Sequence, residues 1–129
     1  MSSTHLVTGA AGAAASKKAD RILVLDVSEQ LGITDYFLIC SANTERQVRA
    51  IAEAVERALA VRDGVKPYRR EGEREGRWVL LDYVDFVVHV FHQEERDYFS
   101  LERLWSDAPQ VNVDFDLEGS DEPAAAEAT

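Results

Sequence analysis

The run of fifteen residues from Arg77 to Phe91 (RWVLLDYVDFVVHVF) is mostly apolar and contains neither glycine nor proline. An ordinary strand spans about five to six residues, so the run reads as two strands joined at Tyr83-Val84, a β-hairpin. This pairs Asp82 with Asp85, Leu80 with Val87 and Trp78 with His89. Side chains alternate along a strand, which puts Val79, Leu81, Phe86, Val88 and Val90 on one wholly apolar face, the core face. The other face carries Trp78, Leu80, Asp82, Asp85, Val87, His89 and Phe91, a mixture of large apolar groups, two carboxylates and a histidine.

Like charges directly opposite each other in a ladder are destabilising, so the second face calls for an explanation, and three readings stand. Asp82 and Asp85 are turn residues that cap backbone amides. Alternatively, the face is a binding surface, with Trp78 as its aromatic anchor and the aspartates as polar contacts. In the third reading Asp82, Asp85 and His89 hold a metal ion.

The rest of the chain places this hairpin in a small α/β layer fold, a mixed sheet flanked by helices. Arg21–Val27 and Asp35–Ala42 read as strands, the second apolar on both faces and therefore central. Thr44 with Gln47 matches a capping box. Val48, Ile51, Ala52, Val55 and Leu59 then form one helical face, closed by Gly64. A short strand is expected near Lys66–Arg69. Residues 94–107 read as a final helix with Tyr98, Leu101, Leu104 and Trp105 on one side, ended by Pro109. Residues 1–18 read as a weak helix or flexible lead, because Gly9 and Gly12 lower helix propensity and an isolated helix of this length is marginal in water. The expected organisation is therefore a lead at 1–18, a domain at 19–108 and an acidic, disordered tail at 109–129.

The formal charge is −10, and seven of the 24 acids lie between Asp107 and the C-terminus, where there is no Lys or Arg. The body is nearly neutral, which argues against non-specific gripping of nucleic acid and favours a protein partner. The lone Cys40 excludes an internal disulfide and fits a cytoplasmic protein. The N-terminal segment lacks a positively charged start, so no signal peptide is expected. No apolar run approaches a membrane span. The charge-alternating stretch from Arg69 to Arg77 reads as a solvated loop. There is no phosphate-binding loop, nucleophile elbow or Cys/His nucleophile pair, and no cofactor is indicated.

Several blocks together resemble the Iojap family, the ribosomal silencing factors. They are Thr34–Ser41 (TDYFLICS), Glu45–Val48 (ERQV) with Ile51-Ala52, Glu71-Gly72, Trp78–Tyr83 (WVLLDY), Asp85, Val87–Phe91 (VVHVF), Glu95-Arg96, Tyr98 and Leu101–Trp105 (LERLW). The match runs in order over about residues 19–106. It implies a fold similar to nucleotidyltransferases without their catalysis. It also implies binding to the large ribosomal subunit through its ribosomal protein number fourteen, a steric block to joining of the small subunit, and reduced translation when nutrients run short. A role in large-subunit assembly and homodimers are implied as well. Carried over residue by residue, the partner contacts fall on Trp78, Leu80, Leu81, Asp82, Tyr83 and Asp85, with His89 nearby. Leu81 lies on the core face of the hairpin and fits this least. The family often has glycine where this chain has Val84, which suggests a loop of another width or turn type here. The alternative is a nucleotidyltransferase-like enzyme, but no Gly-Ser turn precedes a pair of alternating acids on a strand.

Overall fold

The structure, a computed structural model, describes residues 3–113. Ten elements follow in chain order: α1 (Ser3–Ser16), β1 (Asp20–Asp26), α2 (Ser28–Leu31), β2 (Tyr36–Ala42), α3 (Glu45–Asp63), β3 (Arg69–Glu71), β4 (Trp78–Asp82), β5 (Phe86–His92), α4 (Gln93–Phe99) and α5 (Leu101–Leu104). The five strands form one sheet in the order β1-β2-β5-β4-β3. Only β2 and β5 pair in parallel. They are the central strands, which explains why β2 reads as apolar on both faces.

α3 begins where the sequence places it. The Thr44 side chain accepts from the Gln47 backbone N–H at 3.1 Å, and Gly64 closes the helix in the left-handed conformation. Only half of the capping box forms. The Gln47 amide instead donates to the carbonyl of Lys17 at 3.2 Å, which ties the chain after α1 to the start of α3. Val48, Ile51, Ala52, Val55 and Leu59 are buried against Leu38, Cys40, Val79, Leu81, Phe86, Val88 and Val90 of the sheet. Cys40 is fully buried, and burial pushes its thiol up to about 12, so it is an inert core residue.

The first segment is a docked helix rather than a loose lead. Val7 and Ala10, Ala11, Ala13 and Ala14 are buried in the same core. The small residues that weaken α1 on its own allow it to lie close to α3. A side chain at Gly9 would sit 3.8 Å from Leu59 and Arg62. The order comes from packing and not from propensity.

The hairpin forms with the expected faces but a different register. Trp78 lies opposite Phe91, Leu80 opposite His89 and Asp82 opposite Val87. The pairing is shifted by two residues from the tight turn expected at Tyr83-Val84. A shift of two preserves the face of every side chain. Asp85 therefore lies in the loop, and the Asp82–Asp85 clash does not arise. The loop is wide because Asp82 Oδ1 accepts from the Val84 N–H at 2.8 Å, while Val84 takes a positive φ of 75°.

The second sheet face is partly covered. Leu25, Val27, Phe37, Ile39, Phe91 and Ala108 form a smaller core with Trp105 and Leu101. The final helix is broken at Ser100, whose φ is 49°. As a result Leu101 and Trp105 pack inward while Tyr98 and Leu104 stay exposed at 82% and 74%, contrary to the single apolar stripe expected. Arg96, 3% exposed, anchors the break: it donates to Ser41 Oγ at 3.1 Å and to Glu102 at 3.1 Å. After α5 the chain returns along β1, with the Asp26 N–H donating to the Pro109 carbonyl and the Val111 N–H to the Val24 carbonyl, both at 2.8 Å. The rest of the acidic tail expected at 109–129 lies outside the described residues beyond position 113.

Candidate functional site

The uncovered part of the second face is a groove of about 370 Å³ over the β5-β4 end of the sheet. Phe37, Leu80, Val87 and His89 line it from the sheet, and Leu31 and Thr34 from the chain before β2. Three large apolar side chains lining it project into solvent: Ile33 is 82% exposed, Tyr68 77% and Val84 53%. A run of exposed apolar groups of this kind, rimmed by polar ones, is a candidate interaction surface. Toward α4 the run continues through Trp78, which packs on Phe91 at 4.7 Å and on the half-exposed Phe99 at 5.0 Å between ring centres.

Trp78 is held in place by local geometry. Gly72 turns with a positive φ directly against the Trp78 carbonyl, where any Cβ would collide. The indole Nε1–H of Trp78 donates to His89 Nδ1 at 3.1 Å. His89 is 5% exposed, and burial pushes its pKa down to about 3, so the ring is neutral. Since Nδ1 accepts, the ring hydrogen is assigned to Nε2. That Nε2 finds no hydrogen-bond partner among the described residues, nor does Thr34 Oγ1, both buried at the same groove.

Asp82 and Asp85 play different parts. Asp82 caps the loop and faces Arg69 of β3, with the guanidinium 3.7 Å from its carboxylate. This agrees with the turn-residue reading for Asp82. Asp85 is exposed, and its backbone carbonyl accepts from the Asp35 N–H at 2.7 Å, so two acidic residues lie side by side at the start of β2 and β5. Among the described residues no cation pairs with the Asp85 carboxylate.

Of the residues singled out in the sequence, Trp78, Leu80, Asp82 and His89 meet on this face, with Asp85 at its end. Leu81 and Tyr83 do not. Leu81 is fully buried behind the sheet, and Tyr83, 8% exposed, stacks on Phe86 at 4.8 Å in the α3 core, where burial raises its hydroxyl pKa. Ile33, Thr34 and Tyr68 also line the groove, and the reading of the faces did not include them. They come from connections, where periodicity carries no information; the only cue was a large apolar residue after Gly32 and another after Pro67.

The metal triad of the third reading, Asp82, Asp85 and His89, is not among the groupings that the described residues bring close enough to share an ion. Among the described residues, the histidine–acid grouping close enough to share an ion is His92, Glu94 and Glu95. The Arg77 guanidinium occupies those carboxylates, at 2.6 Å from Glu94 and 2.9 Å from Glu95, and bridges on to Glu45 at 3.0 Å. His92 Nδ1 is itself used as the cap of α4, accepting from the Glu94 N–H at 3.1 Å.

Comparison with known proteins gives a consistent result. Residues 1–129 match the family described as "Ribosomal silencing factor during starvation". The chain is 44% identical over 117 residues to the ribosomal silencing factor RsfS of Bacillus subtilis, covering 91% of this chain and 98% of that one. A crystal structure of a protein from Chromobacterium violaceum superposes with a TM-score of 0.79 at 33% identity, covering 82% of this chain and 88% of the other. A Bacillus halodurans crystal structure gives 0.72 at 42% identity, covering 85% and 99%. No described helix is long and apolar enough to cross a membrane. The chain belongs to the ribosomal silencing factor family.

Proposed function

We propose that the face around Trp78 and the groove docks on the large ribosomal subunit in the cytoplasm, through the subunit's ribosomal protein number fourteen. The bound protein then stands in the way of the small subunit and lowers translation, above all when nutrients are short, with a part in large-subunit assembly. The observation that carries this reading is the groove itself, where Ile33, Tyr68 and Val84 stand exposed over an apolar floor beside Trp78. Exposed groups of this size fit a protein surface. The exposed acid Asp85 at one end suits a basic partner, and Arg69, the one cation lining the groove among the described residues, is already paired with Asp82. The same pairing speaks for a regulatory protein over a metal-dependent nucleotidyltransferase. Self-association of two copies through this face would compete with docking.

Co-sedimentation of the protein with purified ribosomal subunits tests the reading. Migration with the large subunit and not the small one is expected. A protein that stays at the top of the gradient at every magnesium concentration contradicts it.

A further inference from the structure

The groove contains two polar atoms that its apolar function does not explain. His89 Nε2 and Thr34 Oγ1 are both buried and both without a hydrogen-bond partner among the described residues. Buried polar groups are nearly always paired, so each such atom in a folded protein calls for a reason. The Trp78 indole accounts for Nδ1, which accepts its hydrogen, but nothing in the packing of the sheet accounts for Nε2. A phenylalanine would fill a similar volume between Phe37 and Trp78, whose rings lie 4.7 and 6.0 Å from the imidazole.

The direction of the missing bond can be derived. Trp78 Nε1 can only donate, so His89 Nδ1 must accept, and the neutral ring then presents Nε2–H as a donor. A neutral donor in an apolar setting suits an uncharged acceptor. It does not suit a phosphate, which would need cations, and Arg69 is engaged by Asp82 and Glu71.

Resting on the docking reading above, we infer that this groove recognises a main-chain peptide unit of the protein partner: the rim side chains turn aside on binding, the carbonyl oxygen of an exposed loop accepts from His89 Nε2–H, and a neighbouring apolar side chain of that loop lies between Ile33, Tyr68 and Val84. Thr34 Oγ1, which can both donate and accept, is the second polar contact. The Trp78 indole acts as a positioning group, fixing which imidazole nitrogen carries the hydrogen. Specificity arises because a surface without a free carbonyl at that point leaves the donor buried and unpaired.

The test compares the full chain with His89→Phe and His89→Gln. Binding is measured to purified large subunits and to protein-free RNA extracted from them, with thermal unfolding of each variant. His89→Phe removes the unpaired Nε2–H but leaves the Trp78 indole N–H without its acceptor, so it is expected to fold with a melting temperature close to the parent's and to bind large subunits about 10-fold more weakly, the scale of one lost buried hydrogen bond. His89→Gln, whose amide reaches a similar position, is expected to recover most of that affinity. Should folded His89→Phe bind large subunits as tightly as the parent, the inference falls while the docking reading stands. Binding of the parent to the protein-free RNA, with the same loss in His89→Phe, would assign the groove to RNA and overturn it. Failure of the parent to bind large subunits at all would overturn both. Long-range nitrogen–proton NMR correlations add a readout independent of folding. Hydrogen on Nε2 is expected, and hydrogen on Nδ1 would contradict the assignment.

Discussion

Trp78 and His89 are diagonal neighbours across β4 and β5, joined by a 3.1 Å hydrogen bond from the indole N–H to the imidazole Nδ1. The bond joins the half-buried aromatic end of the surface to the floor of the groove. It makes Trp78 more than an apolar contact, and the two parts of its side chain can be separated. Trp78→Phe keeps the ring contacts with Phe91 and Phe99 but leaves Nδ1 buried without its donor. It is expected to cost about 1–2 kcal/mol of stability in urea unfolding. Trp78→Ala removes the anchor as well and should weaken docking by about 2 kcal/mol or more. Equal affinities for the two variants would show that the ring itself contributes nothing to binding.

Protonation of His89 works against folding. Its pKa is held down to about 3 in the folded protein against an ordinary 6.5. Between those values the unfolded chain binds the proton and the folded chain does not. The contribution is therefore fully present above about pH 6.5 and is lost as pH falls toward 3, with a slope of at most about 1.4 kcal/mol per pH unit. Urea unfolding of the parent and of His89→Phe, followed from pH 7 to pH 4, isolates this effect from the carboxylates. The stability difference between the two proteins should change with that sign, and parallel curves would contradict a buried neutral histidine.

The left-handed backbone at Val84 is strained, since a β-branched residue rarely adopts a φ of 75°. Glycine would relieve that strain while adding entropy to the unfolded chain. Val84→Gly should therefore raise stability slightly, by about 0.5 kcal/mol. It also removes a half-exposed apolar group from the groove rim, so docking should weaken by about 1 kcal/mol. A variant that gains in both stability and affinity would show that Val84 is not a contact.

The two aspartates of the hairpin should respond in opposite assays. Asp82→Ala loses the loop cap and the Arg69 partner, and about 1 kcal/mol of stability is expected to go with them. Asp85→Lys leaves the fold intact because the carboxylate makes no contact that the loop needs. It should slow association with large subunits, most clearly at low salt. Association rates that are unchanged by Asp85→Lys would remove the electrostatic part of the docking argument.

Much of this arrangement was legible in local sequence. The Thr44 cap and the α3 stripe depend on neighbours three and four residues apart. The faces of the hairpin survived because its register moved by two residues and not by one. The register itself depended on Asp82 capping a left-handed Val84, which residue preferences argue against. The break at Ser100 was hidden because it is stabilised at a distance, by Arg96 reaching Ser41 and Glu102. Leu81 and Tyr83 came from the family resemblance, and their faces exclude them from the surface. Ile33 and Tyr68 lie in connections, so only the folded chain shows them meeting over one groove.

The central claim is that occupation of the large subunit by this groove prevents subunit joining. Sedimentation of a mixture of small and large subunits at joining magnesium, with the protein in excess, tests it most directly when the parent is run beside Ile33→Asp. Ile33 is 82% exposed, so the substitution should leave the fold unchanged. The parent should move with the large subunit and deplete joined ribosomes, and Ile33→Asp should leave the joined peak largely intact. Joined ribosomes that persist with the parent present, or that are depleted equally by Ile33→Asp, would contradict the account.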